Sequence, residues 1–444
     1  MSDQTNPASS NHQPAGHTRR DFLRHSSLVA GAAVAGSVLP ASGVFAQSSD
    51  AVKIALVGCG GRGSGAAVNA LQTKGPVKLV AVADAFEDNA KGALQNLKNQ
   101  FADKVDVPDD RVFSGFDAYK KAIETGPDLV ILATPPGFRP MHFEYAVQQG
   151  KHVFMEKPVA VDAPGVRQVL AAAEEAKKKN LKVGVGLQRH HSLRYNETVK
   201  RLQDGALGDL VLLRVYWNDA GVWVRGRKPG QSEMEYQMRN WYYFNWLCGD
   251  HITEQHIHNL DVANWVKNAT PAKAQGQGGR QVRTGKDHGE IYDHHFVEFT
   301  YPDGTVMLSQ CRHQPQTWRS VSEHAHGAKG YCNIGDGRMT FRDGKEWRFQ
   351  GRENDNYQAE HDHLFAAIRE NKSYNEAENG AKSTMTSILG RMCTYSGQEI
   401  KWDDALNSQI ALRPEAYTWE AKPPTTPDSE GRYPVAIPGQ TKTV

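Results

Sequence analysis

The chain has 444 residues, 39% hydrophobic and 23% charged, a globular balance with length enough for two domains. Its net charge of +2 excludes a broad basic surface for nucleic acid or acidic membrane. The five cysteines (Cys59, Cys248, Cys311, Cys332, Cys393) are odd in number and show no CxxC, which excludes a disulfide framework and reads as buried thiols.

At the front, TRRDFLRHSSLVAGAAVAGSVLPASGVFA pairs Arg19 and Arg20 with Phe22 and Leu23. A weakly apolar Ala/Gly/Val run follows, broken by Pro40 and ending in Val44-Phe45-Ala46. This pattern predicts a twin-arginine signal peptide over residues 1–46, not a membrane span. The expected partner is the Tat export machinery, and the expected location is periplasmic or secreted. No other stretch is apolar and long enough to cross a bilayer, so no membrane anchor is expected.

Residues 50–175 read as a nucleotide-binding domain. A strand over Val52 to Val57 turns through Gly58-Cys59-Gly60-Gly61-Arg62-Gly63 into an Ala-rich helix. In that setting G-x-G-x-x-G has a mechanism. Gly58 permits the turn, Gly60 admits a pyrophosphate to the backbone, and Gly63 lets helix and strand pack. The next strand, VKLVAVAD, ends in Asp84, twenty-one residues after Gly63. A carboxylate there accepts from ribose hydroxyls and repels a 2′-phosphate, favouring NAD over NADP. PDLVILATPP, KHVFMEKP and LKVGVGLQRHH continue the strands, with FRPMHFEYAVQQG and APGVRQVLAAAEEAKKKN as helices between them. Such alternation predicts a doubly wound parallel sheet with ligands at the strands' carboxyl ends. Asp84, Thr134-Pro135, Glu156-Lys157-Pro158 and Gln188-Arg189 fall there.

At GKHVFMEKPVA the chain resembles the glucose–fructose oxidoreductase / inositol dehydrogenase (Gfo/Idh/MocA) family, a likeness that extends over nearly the whole chain after residue 46. The family's E-K-P stands as Glu156-Lys157-Pro158, preceded by ATPP and His142. GLQRHHSLRYNETVKRLQDGALGDL resembles the entry to its second domain, and ENGAKSTMTSILGRMCTYSGQEIKWDD its closing helix and strand. The resemblance implies an α/β fold: an N-terminal Rossmann domain, then a C-terminal α/β domain (residues 176–412) with a large open, mainly antiparallel sheet. Strand-like runs broken by PDG, GDG and RDG turns agree with it. Residues 413–444, rich in proline, predict an extended tail. A homo-oligomer, dimer or tetramer, is expected.

GDHITEQHIHNLDVANW (residues 249–265) carries the second half's chemistry. Laid on the family's D-x-x-x-H, His258 takes the histidine position, Glu254 the first acid and Asp261 the later aspartate. Glu254 replaces the usual Asp, His256 stands where Gly is common, and LCGD replaces a glycine run. On one helix Glu254 and His258 share a face, so the carboxylate would orient the imidazole and stabilise its protonated form. Sugar alcohol oxidation needs such a base, with Lys157 polarising the hydroxyl. Two other readings stay open: a structural hydrogen-bond cluster, or a metal held by His251, Glu254 and His258. The leading expectation is acid/base work with no metal.

The predicted set is therefore Lys157, His258 and Glu254 for catalysis. Gly58, Gly60, Gly61, Arg62, Gly63, Asp84, Thr134, Pro135, His142, Glu156, Lys157 and Gln188 are expected on the cofactor. Lys157, Arg189 and Asp261 are expected on a carbohydrate substrate. The insert NDAGVWVRGRKPGQSEMEYQMRNWYYFNW holds Trp223, Trp241, Tyr242, Tyr243, Phe244 and Trp246, which serve equally as sugar-stacking surfaces or as core. The function expected first is an NAD-dependent oxidoreductase for a sugar, polyol or glycoside, with its cofactor tightly retained. The alternatives are a glycosidase that oxidises its sugar transiently on bound NAD, and a non-enzymatic sugar-binding protein.

Overall fold

A computed structural model describes residues 51–444, so the predicted signal peptide over residues 1–46 lies outside the described residues. The first sheet collects the apolar runs read from the sequence, joined by helices. In chain order these are β1 (Val52–Val57), α1 (Gly61–Gln72), β2 (Val77–Asp84), α2 (Glu87–Gln100), β3 (Val112–Ser114) and α3 (Ala118–Glu124). They continue with β4 (Leu129–Leu132), α4 (Arg139–Gln148), β5 (His152–Met155), α5 (Ala163–Lys178) and β6 (Val183–Val185). Six strands pair in parallel in the order β3-β2-β1-β4-β5-β6. The order reverses between β1 and β4, which opens a crevice at their carboxyl ends. Almost every residue of β1, β2, β4 and β5 is buried, because helices cover both faces.

The boundary expected at residue 175 falls inside α5. β6 pairs with β5, Val153 opposite Val183, so the Rossmann unit continues through Val185. Only after that strand does the chain leave the sheet. β3 escaped the sequence reading because it is a three-residue, half-exposed edge strand.

The second half holds α6 (Leu193–Gln203), β7 (Leu210–Asp219), α7 (Glu233–Arg239), α8 (Asn245–Cys248), α9 (His251–Glu254) and α10 (Ile257–Lys267). Next come β8 (Lys273–Gly279), β9 (His294–Thr300), β10 (Val306–His313), β11 (Ser320–Gly327), β12 (Gly330–Asn333), β13 (Arg338–Phe341) and β14 (Glu346–Arg348). α11 (Asn356–Arg369), α12 (Ala377–Ser396), β15 (Ile400–Lys401) and α13 (Trp402–Leu406) close the chain's regular structure. Nine strands form an open sheet, β14-β13-β12-β11-β7-β10-β9-β8-β15. Every neighbouring pair is antiparallel except β7 with β10. β9 and β10 alternate buried with half-buried residues, the period-two pattern of a sheet packed on one face.

α10 and α12 cover that inner face, and α12 also packs on α5 of the first sheet. α12 is buried on nearly every side. Its small polar residues turn inward to the helix backbone: Ser387 Oγ donates to the Thr384 carbonyl at 2.6 Å, and Ser396 Oγ to that of Met392 at 2.7 Å.

Residues 413–444 contain no helix or strand and lie against their own chain. Gln237 Nε2 donates to the Thr425 carbonyl at 2.9 Å, Tyr292 O–H to that of Ala436 at 2.9 Å, and Gly439 N–H to that of Ser396 at 2.8 Å. The five cysteines are buried and unbridged. Among the described residues no helix is long and apolar enough to cross a membrane.

Candidate active site

A cavity of about 530 Å³ runs from the glycine loop across the carboxyl ends of the first sheet to the helices of the second half. That size suits a ligand pocket. The loop's glycines divide into two kinds. Gly58 sits at φ +93°, and a Cβ there would lie 2.5 Å from the backbone of Ala133. A Cβ on Gly63 would lie 1.9 Å from the Gly58 oxygen. These two serve packing. A Cβ on Gly60 or Gly61 would meet nothing within 4 Å, and both residues line the cavity at the start of α1. Open space in front of free helix N–H groups fits a pyrophosphate.

Asp84 receives the Cys59 N–H at 2.7 Å, the Phe86 N–H at 2.9 Å and Asn89 Nδ2 at 3.2 Å. Burial raises its pKa against those three donors. Phe86, Phe116 and Tyr119 line the cavity around it. Trp419 of the tail backs this wall, 5.2 Å from Phe86 and 4.7 Å from Phe116 between ring centroids.

Arg62 is tethered from two sides. It pairs through Nε with Glu156 and through Nη2 with Glu360 of α11 at 3.3 Å, and it lies 4.9 Å over the Tyr357 ring. Tyr357 in turn accepts from Gln188 Nε2 at 3.0 Å. Arg139, fully buried, donates to the carbonyls of Glu156 at 3.0 Å, Leu132 at 2.5 Å and Thr134 at 2.6 Å. It thereby fixes the ends of β4 and β5 where Thr134, Pro135 and Glu156 meet the cavity. His142 stacks 4.0 Å from Tyr119 and touches Thr134 Oγ1 through Nδ1 at 3.2 Å. Burial and the Arg139 charge push its pKa down to about 3, so it is neutral.

On the far side stand Lys157, Glu254, Gln255 and His258. Lys157 Nζ donates to the Glu254 carbonyl at 2.6 Å and to its Oε1 at 3.3 Å. An ammonium has three donors, and one is left for a ligand. Burial raises the pKa of Glu254, with Lys157 opposing. His258 lies 6.0 Å from Trp217, nearly parallel to it. Its Nδ1 is buried, and the ring meets the cavity through its Nε2 edge. Burial, then the charges of Lys157, Arg189 and Arg62, hold its pKa well below the ordinary histidine range.

The sequence reading put Glu254 and His258 on one helical face, and the backbone corrects it. His256 N–H reaches back five residues to the His251 carbonyl at 3.2 Å, and His258 N–H reaches three, to that of Gln255 at 3.3 Å. The helix breaks there into α9 and α10. Glu254 turns to Lys157 and does not orient His258, whose pKa falls where the sequence implied a stabilised cation. The trio His251, Glu254 and His258 does not converge either. Glu254 and His258 face the cavity, whereas His251 is buried and stacked 4.3 Å from His313.

Arg189 and Asp261, expected on the substrate, do not line the cavity. Arg189 is paired with the buried Glu323. Asp261 is enclosed by His190 Nε2 at 2.8 Å, Ser383 Oγ at 2.8 Å and Asn379 Nδ2 at 3.2 Å. Both are occupied inside the fold. The other residues predicted for cofactor and catalysis all line the cavity.

The aromatic insert divides. Trp223 and Trp241 border the cavity with Arg225, which lies 4.5 Å over the Trp223 ring. Tyr242, Tyr243, Phe244 and Trp246 are core.

The sequence reading also passed over Gln255. Arg283 is always a donor, and its Nη1 lies 3.2 Å from His313 Nδ1. His313 therefore carries its proton on Nε2 and donates it to Gln255 Oε1 at 2.7 Å. The Gln255 amide is left with its NH₂ toward the cavity, a fixed donor for a ligand oxygen. In Gln255→Glu the carbonyl-type acceptor for His313 stays and the donor is lost. The expected result is a KM raised about tenfold with kcat nearly unchanged, the size of one hydrogen bond. Equal KM values in steady-state kinetics would remove Gln255 from substrate binding.

Residues 52–186 match the family model described as oxidoreductase family, NAD-binding Rossmann fold. The chain is 28% identical over 259 residues to an inositol 2-dehydrogenase of Klebsiella pneumoniae, covering 58% of this chain and 66% of that one. That is just short of two thirds of the relative's length. The structure of an aldose-aldose oxidoreductase from Caulobacter crescentus, complexed with glycerol, superposes with a TM-score of 0.62 at 17% identity, over 79% of this chain and 100% of that one. A scyllo-inositol dehydrogenase from Lactobacillus casei, solved with NAD(H) and scyllo-inositol, gives 0.60 at 18% identity, over 80% and 100% of the two chains. At these identities the structural likeness speaks for the fold: a Rossmann sheet followed by an open mixed sheet.

Proposed function

Residues 52–186 carry the NAD-binding domain of the Gfo/Idh/MocA oxidoreductase family, and on that premise we propose that the chain oxidises a hydroxyl of a sugar, polyol or glycoside with NAD. The observation that carries this reading is one cavity shared by the glycine loop, Lys157 and a neutral His258. NAD fits the nucleotide end because Gly60 and Gly61 leave room for phosphates and Asp84 stands where ribose hydroxyls would meet it. When bound, NAD supplies the hydride acceptor.

The chain's own residues handle the proton. Lys157 uses its free N–H to polarise the substrate oxygen. His258, held neutral, removes the hydroxyl proton through Nε2. Trp217, Trp223 and Trp241 offer flat faces to the C–H surface of a ring, and Gln255 gives one fixed donor. The set suits a neutral polyol or pyranose, in keeping with relatives named inositol 2-dehydrogenases.

The same reading includes a retained nucleotide, export by the twin-arginine route and a homo-oligomer. Retention is supported by the aromatic wall of Phe86 and Phe116, which the tail backs. Export is supported by Arg19-Arg20 and the run after them. Assembly is supported by Val211, Val321 and Tyr331, exposed on neighbouring strands of the second sheet.

The test is to dialyse the purified protein, identify released nucleotide by mass, and then offer inositols, aldoses and aryl glycosides without added NAD. A change in nicotinamide absorbance with a free polyol or aldose is expected. Aglycone release with no net change would transfer the site to the glycosidase that oxidises transiently. Binding of sugar with neither signal would make it a sugar-binding protein.

A further inference from the structure

Behind the cavity, Asp250 occupies a backbone conformation (φ 71°, ψ 161°) that is essentially reserved for glycine. A residue with a side chain persists there only if the surroundings hold it, and they do so through its carboxylate. Oδ2 receives the Tyr292 N–H at 2.9 Å and the Tyr395 O–H at 2.5 Å. Beside Oδ1 stand two imidazoles, His251 Nδ1 at 2.8 Å and His295 Nε2 at 3.3 Å. Asp250 and His251 are wholly buried and His295 almost so.

These separations invite the name of hydrogen bonds, but the directions are wrong. Neither His251 ring nitrogen has a hydrogen-bond partner, and neither does His295 Nε2. The far edge of His295 gives the reason for its part. Thr394 donates its own O–H to the Arg391 carbonyl at 3.0 Å, and His295 Nδ1 lies 2.9 Å from that hydroxyl oxygen. The Nδ1 proton is thereby used on Thr394, which leaves a lone pair on Nε2 facing a carboxylate oxygen. Two acceptors set side by side at 3.3 Å repel unless they share a cation. An acceptor behind the ring, here the Thr394 hydroxyl oxygen, is also what holds a metal-binding histidine in place.

We propose that Asp250, His251 and His295 bind a divalent first-row transition ion, with zinc the best match to two imidazoles and one carboxylate. The three ligand atoms lie within 4.8 Å of one another. The edge of a tetrahedron around zinc measures about 3.3 Å for bonds of about 2.0–2.1 Å; His295 Nε2 stands at that distance from Oδ1, and His251 Nδ1, at 2.8 Å, would move outward to take its place. The ion would join α9, β9 and, through Thr394 and Tyr395, α12. Because α9 ends in Glu254 and leads into Gln255, its place is to position the far wall of the cavity, without touching substrate.

The test uses the full chain, expressed with zinc in the medium, dialysed and measured by elemental analysis. About one transition ion per chain is expected, and Co²⁺ added to metal-stripped protein should give the visible bands of a four- or five-coordinate site. Asp250→Gly is the decisive variant, since glycine suits the backbone there and keeps the fold. It should hold less than about a tenth of an ion and show no cobalt bands, with circular dichroism unchanged. His295→Gln should behave alike, and Asp250→Gly decides if that variant does not fold. Wild-type protein without metal and without cobalt bands would overturn the proposal and leave a proton as the shared cation. So would Asp250→Gly with its ion retained.

Discussion

Replacing His258 with Asn, or Lys157 with Met, is expected to lower turnover at least about a hundredfold, the scale of a positioned proton-transfer group. Nucleotide binding should survive both changes, because neither residue supports the glycine loop or Asp84. The reasoning starts from charge. His258 is buried beside Lys157, Arg189 and Arg62, which together disfavour a second proton on its ring. A histidine whose pKa is lowered stays a free base until the pH falls through that lower value. The acid side of the wild-type pH–rate profile should therefore lie below the ordinary histidine value of about 6.5. In Lys157→Met one of the charges that depress His258 is gone, and whatever acid limb remains should move upward. Stopped-flow turnover at several pH values checks both points. Near-normal rates in either variant would detach proton transfer from these residues.

The second large effect is on stability. Glu323 is completely buried, and its carboxylate accepts from Arg189 Nη1, from Asn259 Nδ2 at 2.5 Å and from Tyr195 O–H at 3.0 Å. Removing one partner of a buried pair leaves the other charge without compensation, at a cost of about 3–5 kcal/mol. Glu323→Ala is therefore expected to lose that much in equilibrium denaturation. The double change Arg189→Met with Glu323→Leu should recover most of it, since an apolar pair of similar volume removes the uncompensated charge. A loss below about 1 kcal/mol in the single variant would mean that the pair contributes no more than an exposed one.

The nucleotide end of the cavity was the most legible part of the sequence because its chemistry is local. Gly58 and Gly63 follow a strand within a few residues and Asp84 ends one, and the strand pattern announces where the crevice opens. Arg189 and Asp261 were misread for the opposite reason. Arg189 also follows a strand closely, but the partner that occupies it lies 134 residues away. Asp261 is enclosed by Ser383, 122 residues on. The tether on Arg62 comes from Glu360, at a separation of 298. Such pairings join segments more than a hundred residues apart, and no periodicity records them. The break between α9 and α10 had no proline or glycine to mark it, so a continuous helix was the natural reading of ITEQHIHNLDV. Gln255 was passed over because its donor is fixed by His313 and Arg283, which arrive on other segments. The division of the aromatic insert into rim and core likewise depends on which rings reach the space above Lys157.

α12 bears on how small molecules come and go. Packed on one side against α5 and on the other against β8 and β9, it is shared between the two sheets like a common beam. Spreading the sheets apart would expose a helix that is buried along nearly its whole length, so a gaping, jaw-like hinge is denied to this architecture. Traffic must pass a doorway of side chains, and the half-exposed Trp223 stands at it. Selection then falls to the swing of a ring at the threshold, on the timescale of rotamer changes, while the frame behind it stays still.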